Sequence, residues 1–432
     1  MPIKIDDNKI DIKTKNSEVK LKSRFSLAST GRLVFGVIVL VQFFTATILL
    51  LIAAMRNRTK GKQSFPHEDL DEVQVGSNRL QLYSYGEDLY KAMFEAIDSA
   101  KESIYLESYI WKDDAAGWEF KAHLARKAQE GVEVYVIFDS LGNLVVPSEF
   151  KNSFDERIHV LQYQALRSVW HTIDPRRYSL DHRKLLIVDG QISFIGGYNI
   201  GSLYATSWRD THLRICGPAA SELGRSFIDF WNRFCRSDDA KITRYYRRTF
   251  DPLITLHGND ALRLTFPIRD MYIEAINRAE STIMLTNAYF VPDHVLLDAL
   301  KAAAQRGVDV RILVPWVSNH IVTDWISHAY FSECLEAGIR ILGYRHAMMH
   351  AKTCTIDGQW STVGTANIDR LSSIGNYEIN VEIYSAEFAR TMEALFAHDT
   401  ADIFELTAEE WHKRPWYVKL SEHILVPLRF MM

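Results

Sequence analysis

The 432-residue chain is poor in cysteine, and its cysteines form no recognisable pattern. The four of them, Cys216, Cys235, Cys334 and Cys354, are scattered along the sequence. They have neither the paired CxxC spacing of a zinc site nor the density of a disulfide framework. An HExxH metal motif is also missing from the sequence. The expected chemistry therefore uses no metal and no cofactor.

Excess positive charge is lacking as well. The formal net charge is −4 at pH 7, and 24% of the residues are charged against 47% hydrophobic, which is ordinary for a globular protein. A protein that binds nucleic acid is expected to present a basic surface. The composition therefore gives no support to a nucleic-acid partner, although a nuclease stays open as an alternative.

Long uncharged stretches are rare, and the main exception is residues 33–55, which contain no Asp, Glu, Lys or Arg. A stretch of this length can span a bilayer as a helix. A buried core helix and a cleaved signal peptide are the alternatives, but the stretch is too long for a signal peptide and follows a polar tail. It therefore predicts an uncleaved, single-pass anchor in the cell membrane.

The orientation of this anchor depends on the basic residues beside it. One cluster precedes it, and a denser cluster follows closely at Arg56, Arg58, Lys60 and Lys62. Because positive flanks tend to remain inside the cell, this distribution favours a cytoplasmic catalytic region.

The most informative pattern in the chain occurs twice. The first copy contains His182, Lys184, Asp189, Gly197, Asn199 and Asp210, and the second contains His350, Lys352, Asp357, Thr365, Asn367 and Glu378. Each member of the second copy lies 168 positions after its counterpart. Two unrelated hairpins with buried core histidines are the alternative. Agreement at so many positions favours one site assembled from two halves.

Each copy is predicted to form a strand, a tight turn and a returning strand. A His and a Lys two residues apart on a strand project from the same face. Asp189-Gly190 and Asp357-Gly358 are typical hairpin turns. The small residues after the returning strand, among them Gly197 and Thr365, are expected to allow close approach of a ligand.

This set of side chains suits a phosphodiester. Lys184, Lys352, Asn199 and Asn367 are expected to bind the non-bridging oxygens, together with Gly197 and Thr365. One histidine can attack phosphorus while the other protonates the departing alcohol. The downstream acids, Asp210 and Glu378, are expected to orient the imidazole of their own copy. Asp189 and Asp357 are counted with the catalytic groups, with a structural role at the turn as the alternative.

The repeat extends beyond these motifs. Residues 129–134 read QEGVEV and residues 305–310 read QRGVDV, each at the end of a predicted helix. Helices and strands alternate in both copies, which predicts two α/β domains with mixed sheets flanked by helices. The predicted segments are a polar basic tail without ordered structure (1–32), a transmembrane helix (33–55), a linker (56–74), a first domain (75–240), a connector (241–262) and a second domain with a C-terminal segment (263–432).

The run His-x-Lys-x4-Asp-x6-Gly-x2-Asn, present twice, resembles the phospholipase D superfamily. The resemblance implies two duplicated phospholipase D-like domains that share one active site, and a phosphohistidine intermediate. It also implies that His182 is the nucleophile and His350 the acid and base. The residues alone leave that order open. Since both halves lie on one chain, catalysis does not require a dimer, and the oligomeric state stays unknown.

Further segments resemble bacterial cardiolipin synthases of the phospholipase D type. They are residues 106–110 (LESYI), 139–142 (DSLG), 181–184 (DHRK), 289–293 (YFVPD) and 367–369 (NID). The resemblance implies that the partners are a phospholipid membrane and phosphatidylglycerol, and that a phosphatidyl group passes between two phosphatidylglycerols with release of glycerol. Loops at 141–147, 169–170 and 315–330 contain apolar residues suited to a lipid interface.

One departure leaves the substrate open. After Asp369 the chain reads Arg-Leu-Ser-Ser instead of the commoner pattern, in which x-Arg-Ser follows the Asp. Hydrolysis of phospholipids to phosphatidic acid, and phosphodiesterase activity on nucleic acid, are therefore kept as alternatives.

Overall fold

The computed structural model of the chain describes residues 67–164, 179–235, 241–246, 250–316 and 321–425, with Phe65, Arg248, residues 318–319 and short pieces of the first 47 residues. No helix among the residues so described is both long and apolar enough to cross a membrane. Most of the predicted span at 33–55 lies outside them, as does the predicted lipid-facing pair at 169–170.

The N-terminal tail contains three short strands where we predicted none. Strands β1 (Lys4–Asp6), β2 (Lys9–Thr14) and β3 (Ser17–Lys22) form an antiparallel sheet. Ile10 pairs with Leu21 and Ile12 pairs with Val19. Apolar residues alternate with charged ones along both strands, which is the pattern of a one-sided sheet. The expectation of an unstructured tail overlooked this alternation.

The first half of the remaining chain alternates helices and strands as predicted. Its strands are β4 (Val73–Val75), β5 (Asn78–Tyr83), β6 (Ser103–Ser108), β7 (Glu133–Asp139), β8 (His159–Tyr163), β9 (Leu185–Val188), β10 (Ile192–Gly196), β11 (Trp208–Arg209) and β12 (His212–Cys216). Its helices are α1 (Gly86–Ser99), α2 (Ala115–Gln129), α3 (Ser148–Asn152), α4 (Ser202–Ser207) and α5 (Ala220–Phe234).

The second half repeats this order. Its strands are β13 (Ile254–Gly258), β14 (Thr282–Asn287), β15 (Asp309–Pro315), β16 (Arg340–Tyr344), β17 (Met348–Met349), β18 (Lys352–Ile356), β19 (Trp360–Gly364), β20 (Ile379–Tyr384) and β21 (Phe404–Leu406). Its helices are α6 (Pro267–Arg278), α7 (His294–Gln305), α8 (Ile321–Glu336), α9 (Arg370–Ile374), α10 (Ala386–Asp399), α11 (Ala408–His412) and α12 (Trp416–Leu425).

Each half is built on an eight-stranded mixed sheet. The first has the order β4-β5-β12-β10-β9-β6-β7-β8, and the second has the order β13-β20-β19-β18-β14-β15-β16-β21. Seven strands correspond in sequence and in place, and the sheets differ only in the extra edge strand, β4 or β21. In both, the strand that follows the His-Lys pair is central. The predicted duplication of an α/β fold is thereby confirmed.

Local sequence signals explain how the helices begin and end. Asp114 caps α2 by accepting a hydrogen bond from the Gly117 N–H, and Asp293 caps α7 through two backbone N–H groups. Gly131 and Gly307, with φ of 92° and 96°, follow the last turns of these helices. Residues with a Cβ rarely adopt this conformation, so glycine stops both helices at equivalent points.

The two halves pack tightly against each other. One buried apolar cluster draws on both of them, with Ile195, Leu213 and Phe227 from the first and Val363, Val381 and Phe388 from the second. Arg209 and Asp399 form a buried ion pair across the junction, with nitrogen–oxygen distances of 2.9 and 2.6 Å. A shared core and a paired buried charge hold the halves in one relative position.

Candidate active site

The His182-Lys184 pair immediately precedes central strand β9, and Lys352, two residues after His350, is the first residue of central strand β18. The Lys184 Nζ donates a hydrogen bond to the His182 carbonyl at 2.6 Å, and Lys352 makes the same bond to the His350 carbonyl. Both lysine side chains are almost completely buried. The i and i+2 spacing thus places an ammonium beside each histidine, as the strand pattern predicts.

The backbone of each histidine is attached to the opposite half of the protein. The His182 N–H donates to the Tyr377 carbonyl at 3.0 Å, and the His350 N–H donates to the Arg209 carbonyl at 2.7 Å. Strand β11 also pairs with β17, joining Trp208–Arg209 to Met348–Met349. Tyr377 and Arg209 immediately precede the two downstream acids, so each histidine lies beside the acid of the other copy.

The side chains follow this crossed arrangement. The His182 Nδ1 lies 2.9 and 3.0 Å from the two carboxylate oxygens of Glu378. The His350 Nδ1 lies 2.6 Å from the Asp210 Oδ2. The prediction that each acid orients the histidine of its own copy is therefore wrong. An Nδ1–H donated to a carboxylate leaves Nε2 as the ring nitrogen available for chemistry.

The two acids differ in their electrostatic environment. Burial raises the pKa of Glu378 to about 7, although Lys184 and a hydrogen bond from Thr365 oppose this rise. Burial acts on Asp210 in the same direction, but Lys352 and His350 outweigh it and hold the pKa of Asp210 below its usual range. Asp210 is therefore the more firmly ionised partner.

Burial also favours the neutral forms of the basic groups. It lowers the pKa of Lys184 to about 7 and that of Lys352 to about 8. Burial, with Lys352 next in effect, lowers the pKa of His350 to about 3. Burial and both lysines lower the pKa of His182 well below its usual range. A bound phosphodiester would add negative charge beside all four groups and raise these pKa values.

Both histidines line one cavity of about 360 Å³. Three aromatic rings that the motifs did not reveal contact them edge to face. The ring centroid of Tyr109 lies 4.9 Å from that of His182, and the rings of Trp208 and Tyr289 lie 4.8 and 6.1 Å from that of His350. These rings pack against the imidazoles and restrict their movement.

The two asparagines of the motif also line this cavity. The Asn199 Oδ1 accepts a hydrogen bond from the Ile110 N–H at 3.1 Å. The Asn367 Oδ1 is buried and has no hydrogen-bond partner among the residues that the structure describes. A buried polar atom without a partner is costly. Asn367 is therefore suited to meet a polar ligand.

Gly197 and Thr365 support the acids, contrary to the expectation that they approach a ligand. A Cβ at position 197 would lie 2.1 Å from an Asp210 carboxylate oxygen, so only glycine fits there. The Thr365 Oγ1 donates to the Glu378 Oε2 at 2.5 Å. At this pair of equivalent positions, Gly197 makes room for Asp210, and Thr365 holds Glu378 in position.

Asp189 and Asp357 lie at the hairpin turns, at the far end of β9 and β18 from the histidines. Their φ angles are 53° and 54°. Asp189 accepts hydrogen bonds from the N–H groups of residues 101–103, and Asp357 from those of residues 280–282. Because a strand of four residues is about 13 Å long, these two carboxylates lie well away from the histidines. These contacts replace the expected catalytic role with a structural one.

Replacing Asp357 with alanine is expected to lower the free energy of unfolding by about 2 to 4 kcal/mol, because three backbone donors lose a charged acceptor. Turnover per folded molecule should stay within about twofold of the original. Urea titration and steady-state kinetics of Asp357→Ala and Asp189→Ala measure both quantities. A large loss of turnover with unchanged stability would restore the catalytic assignment.

Replacing Glu378 with glutamine is expected to flatten the pH dependence of stability between about pH 4.5 and 7. The pKa of Glu378 is about 7 in the folded protein against an ordinary value of 4.5. The folded state therefore binds more protons in this window, and its stability falls as the pH rises, by roughly 3 kcal/mol from this group.

Urea titrations of the wild type and Glu378→Gln between pH 5 and 8 measure this difference. Glu382→Gln is the matched control, because the pKa of Glu382 is lowered, by hydrogen bonds from His257 and Trp360 that outweigh burial. That substitution should change the pH dependence only below about pH 4.5. Parallel profiles for the wild type and Glu378→Gln above pH 5 would contradict the raised pKa.

Solved structures share this duplicated fold. The phosphatidylserine synthase of Haemophilus influenzae superposes with a TM-score of 0.62 at 14% identity, over 84% of this chain and 97% of that one. The polyphosphate kinase of Porphyromonas gingivalis has a TM-score of 0.53 at 12% identity, over 85% and 57%. The fold, the histidines and asparagines of two motifs that line one cavity, and a match to a PLD-like family model define a protein of the phospholipase D superfamily.

Sequence relatives narrow the assignment. The family model described as "Cardiolipin synthase, PLD-like domain" matches residues 93–231 and 272–400. The cardiolipin synthase of Listeria welshimeri is 34% identical over 80% of this chain and 74% of its own length, and the major cardiolipin synthase ClsA of Bacillus subtilis is 31% identical over the same shares. The chain belongs to the cardiolipin synthase family and is an enzyme of the phosphatidyltransferase type. The resemblance seen in the sequence is confirmed.

Proposed function

We propose that this enzyme joins two phosphatidylglycerol molecules into cardiolipin and releases glycerol. The observation that carries the proposal is the pair of crossed dyads, His182 with Glu378 and His350 with Asp210, which border one cavity with a lysine beside each. Two separately tuned imidazoles are what a two-step transfer through a covalent intermediate needs.

In the first step, the His182 Nε2 attacks the phosphorus of one phosphatidylglycerol. The bond between phosphorus and the glycerol headgroup oxygen breaks, and the His350 Nε2 gives that oxygen a proton. The acids support this assignment, because the ionised Asp210 beside His350 stabilises an imidazolium better than Glu378 does. Glycerol leaves, and a phosphatidyl group remains on His182.

In the second step, a headgroup hydroxyl of another phosphatidylglycerol attacks the phosphorus. His350, now neutral, takes the hydroxyl proton, the bond between phosphorus and Nε2 of His182 breaks, and cardiolipin forms. Lys184 and Lys352 offset the negative charge on the non-bridging oxygens in both steps, and Asn199 and Asn367 are expected to bind these oxygens. Both histidines return to their starting protonation states.

We further propose that the enzyme works at the cell membrane, anchored by residues 33–55 with its catalytic region in the cytoplasm. The loop after β7 supports contact with lipid, since Leu144 and Val145 are 72% and 83% exposed. The same loop lies next to the site, because the Asn143 Nδ2 donates to the Tyr109 carbonyl at 2.9 Å. Within the other predicted lipid-facing loop, Ile326 is fully buried and belongs to the core.

Mass spectrometry of lipids after incubation of the full chain with labelled phosphatidylglycerol tests the proposal. Cardiolipin and glycerol in equal amounts, absent from a His182→Ala/His350→Ala control, are the expected result. Phosphatidic acid without cardiolipin would make the enzyme a phospholipase. Cleavage of DNA without lipid turnover would make it a nuclease, and either outcome rejects the synthase.

A further inference from the structure

The two walls of the catalytic cavity differ at positions that the repeat makes equivalent. The position two residues after the motif asparagine is Gly201 in the first half and Asp369 in the second. The position two residues before the downstream acid is Trp208 in the first half and Asn376 in the second. Trp208, Asp369 and Asn376 all line the cavity. One wall is therefore aromatic, and the other carries a carboxylate and an amide.

Among the described residues that line this cavity, Asp369 is the only carboxylate. Its side chain caps α9, with Oδ1 accepting from the Ser372 N–H at 2.7 Å. A carboxylate offers about four acceptor positions, and the N–H and hydroxyl of Ser372 occupy two of them. Asp369 is only 7% exposed. A ligand donor that reached it would form a charge-assisted hydrogen bond shielded from water.

The neighbours of Asp369 in the cavity are also polar. Asn319 lies just before α8, and Thr323 lies in its first turn. Both line the same cavity, as does Asn367, whose Oδ1 has no partner among the described residues. The Asn319 Oδ1 accepts a hydrogen bond from the Tyr289 hydroxyl at 2.8 Å. Amide and hydroxyl groups both donate and accept, so this wall can match a ligand that does the same.

We propose that the wall contributed by the second half is a subsite for the polyhydroxylated headgroup, in which Asp369 accepts hydrogen bonds from the vicinal hydroxyls of glycerol. The inference rests on the proposed function, because it places the glycerol that leaves, and then the headgroup that attacks, on the Asp369 side. The aromatic wall formed by Trp208 is then left for the diacylglycerol part of the donor.

The ionisation state of Asp369 also suits this role. Burial, with Glu378 adding to it, raises the pKa of Asp369 to about 6 against the hydrogen bonds from Ser372, so the group is mainly ionised at neutral pH. An ionised carboxylate would also attract the ammonium group of an ethanolamine headgroup. The Asp369→Asn variant distinguishes the two headgroups. A neutral asparagine would keep a weaker hydrogen bond to the glycerol hydroxyls but would lose the ionic attraction to an ammonium group.

Binding of two phosphate monoesters to the full-length enzyme tests the subsite without relying on turnover. Glycerol 1-phosphate and propyl phosphate carry the same phosphate group and differ by two hydroxyls. We expect the wild type to bind glycerol 1-phosphate about tenfold more tightly, as one hydrogen bond to a charged group allows. Isothermal calorimetry measures both dissociation constants.

Asp369→Asn is expected to lose most of this preference while retaining the α9 cap, which asparagine also forms. Arg370→Gln is the matched control, because Arg370 is exposed and adjacent, and it should keep the preference. Equal binding of the two esters by the wild type, or an unchanged preference in Asp369→Asn, would overturn the subsite. Ethanolamine phosphate is the third ligand, and tighter binding of it than of glycerol 1-phosphate would reassign Asp369 to an amine headgroup.

The proposed function fails separately, through the absence of cardiolipin in the lipid assay, whatever the monoesters do. When cardiolipin does form, competition between glycerol and 1-propanol as acceptors gives a second readout. Asp369→Asn should lower the rate ratio of glycerol to 1-propanol about tenfold and leave the 1-propanol rate within about twofold. Equal loss of both rates would indicate a structural role instead.

Discussion

Alanine at His182 is expected to abolish transfer from every donor, whereas the His350→Ala enzyme should still react with a donor whose leaving group needs no proton. With phosphatidylglycerol, both variants should lose about 10²-fold to 10⁴-fold or more in turnover. With a p-nitrophenyl phosphodiester, His350→Ala should form the phosphohistidine and release nitrophenolate at a rate close to the original. The reason is that nitrophenolate departs as a stable anion.

Stopped-flow absorbance measures the nitrophenolate burst, and mass spectrometry at alkaline pH detects the phosphate attached to His182. His257→Ala is the matched control, because His257 also pairs with a glutamate, Glu382 at 2.8 Å, but lies outside the cavity. It should behave like the wild type. A burst in His182→Ala and none in His350→Ala would reverse the roles of the two histidines.

The acids are expected to follow the crossed pairing. Asp210→Asn should resemble His350→Ala, with a loss of about 10²-fold to 10⁴-fold on phosphatidylglycerol that the nitrophenyl donor largely restores. Glu378→Gln should resemble His182→Ala, because it disturbs the nucleophile, and the better leaving group should not restore it. The same burst assay measures both variants.

Double substitutions make this test quantitative. Asp210→Asn should add little to the defect of His350→Ala, since the two residues act as one unit, and the same holds for Glu378→Gln with His182→Ala. Glu382→Gln is the control for loss of a carboxylate outside the site. If the nitrophenyl donor restored the activity of Glu378→Gln but not that of Asp210→Asn, each acid would serve the histidine of its own copy.

Much of the site is predictable from the sequence because it depends on local geometry. A His and a Lys two residues apart on a strand share a face in any fold, and the Asp-Gly turns determine where that strand ends. The matching spacing of both copies also predicts that the halves share one site. The identical central order of the two sheets is the structural counterpart of that spacing.

The crossed pairing is not predictable in this way, since it depends on how the halves pack. The hydrogen bonds from each histidine to the opposite half reveal it, both from the backbone N–H and from the ring Nδ1. Motif spacing also cannot separate residues that serve the site from those that build the hairpin. Asp189 and Asp357 recur as faithfully as the histidines, yet both accept hydrogen bonds at a turn.

The residues that we missed differ from those that we found in one respect. The other half has a different residue type at the positions equivalent to Tyr109, Trp208 and Asp369. A repeated motif therefore cannot reveal them. Trp208 and Asp369 stand out where the two halves differ. Such differences are expected where two equivalent sets of catalytic groups bind a substrate that is not symmetric.

The crossed dyads also bear on how such a chain can arise. A polypeptide with a single half would carry a histidine and an acid that cannot meet, because the acid lies where only a partner's histidine can reach it. Two such polypeptides, related by a twofold axis, would complete both dyads at once. The single chain thus has the geometry of a symmetric dimer with its two subunits covalently joined. In a single chain, each half can form its own wall of the cavity without altering the other.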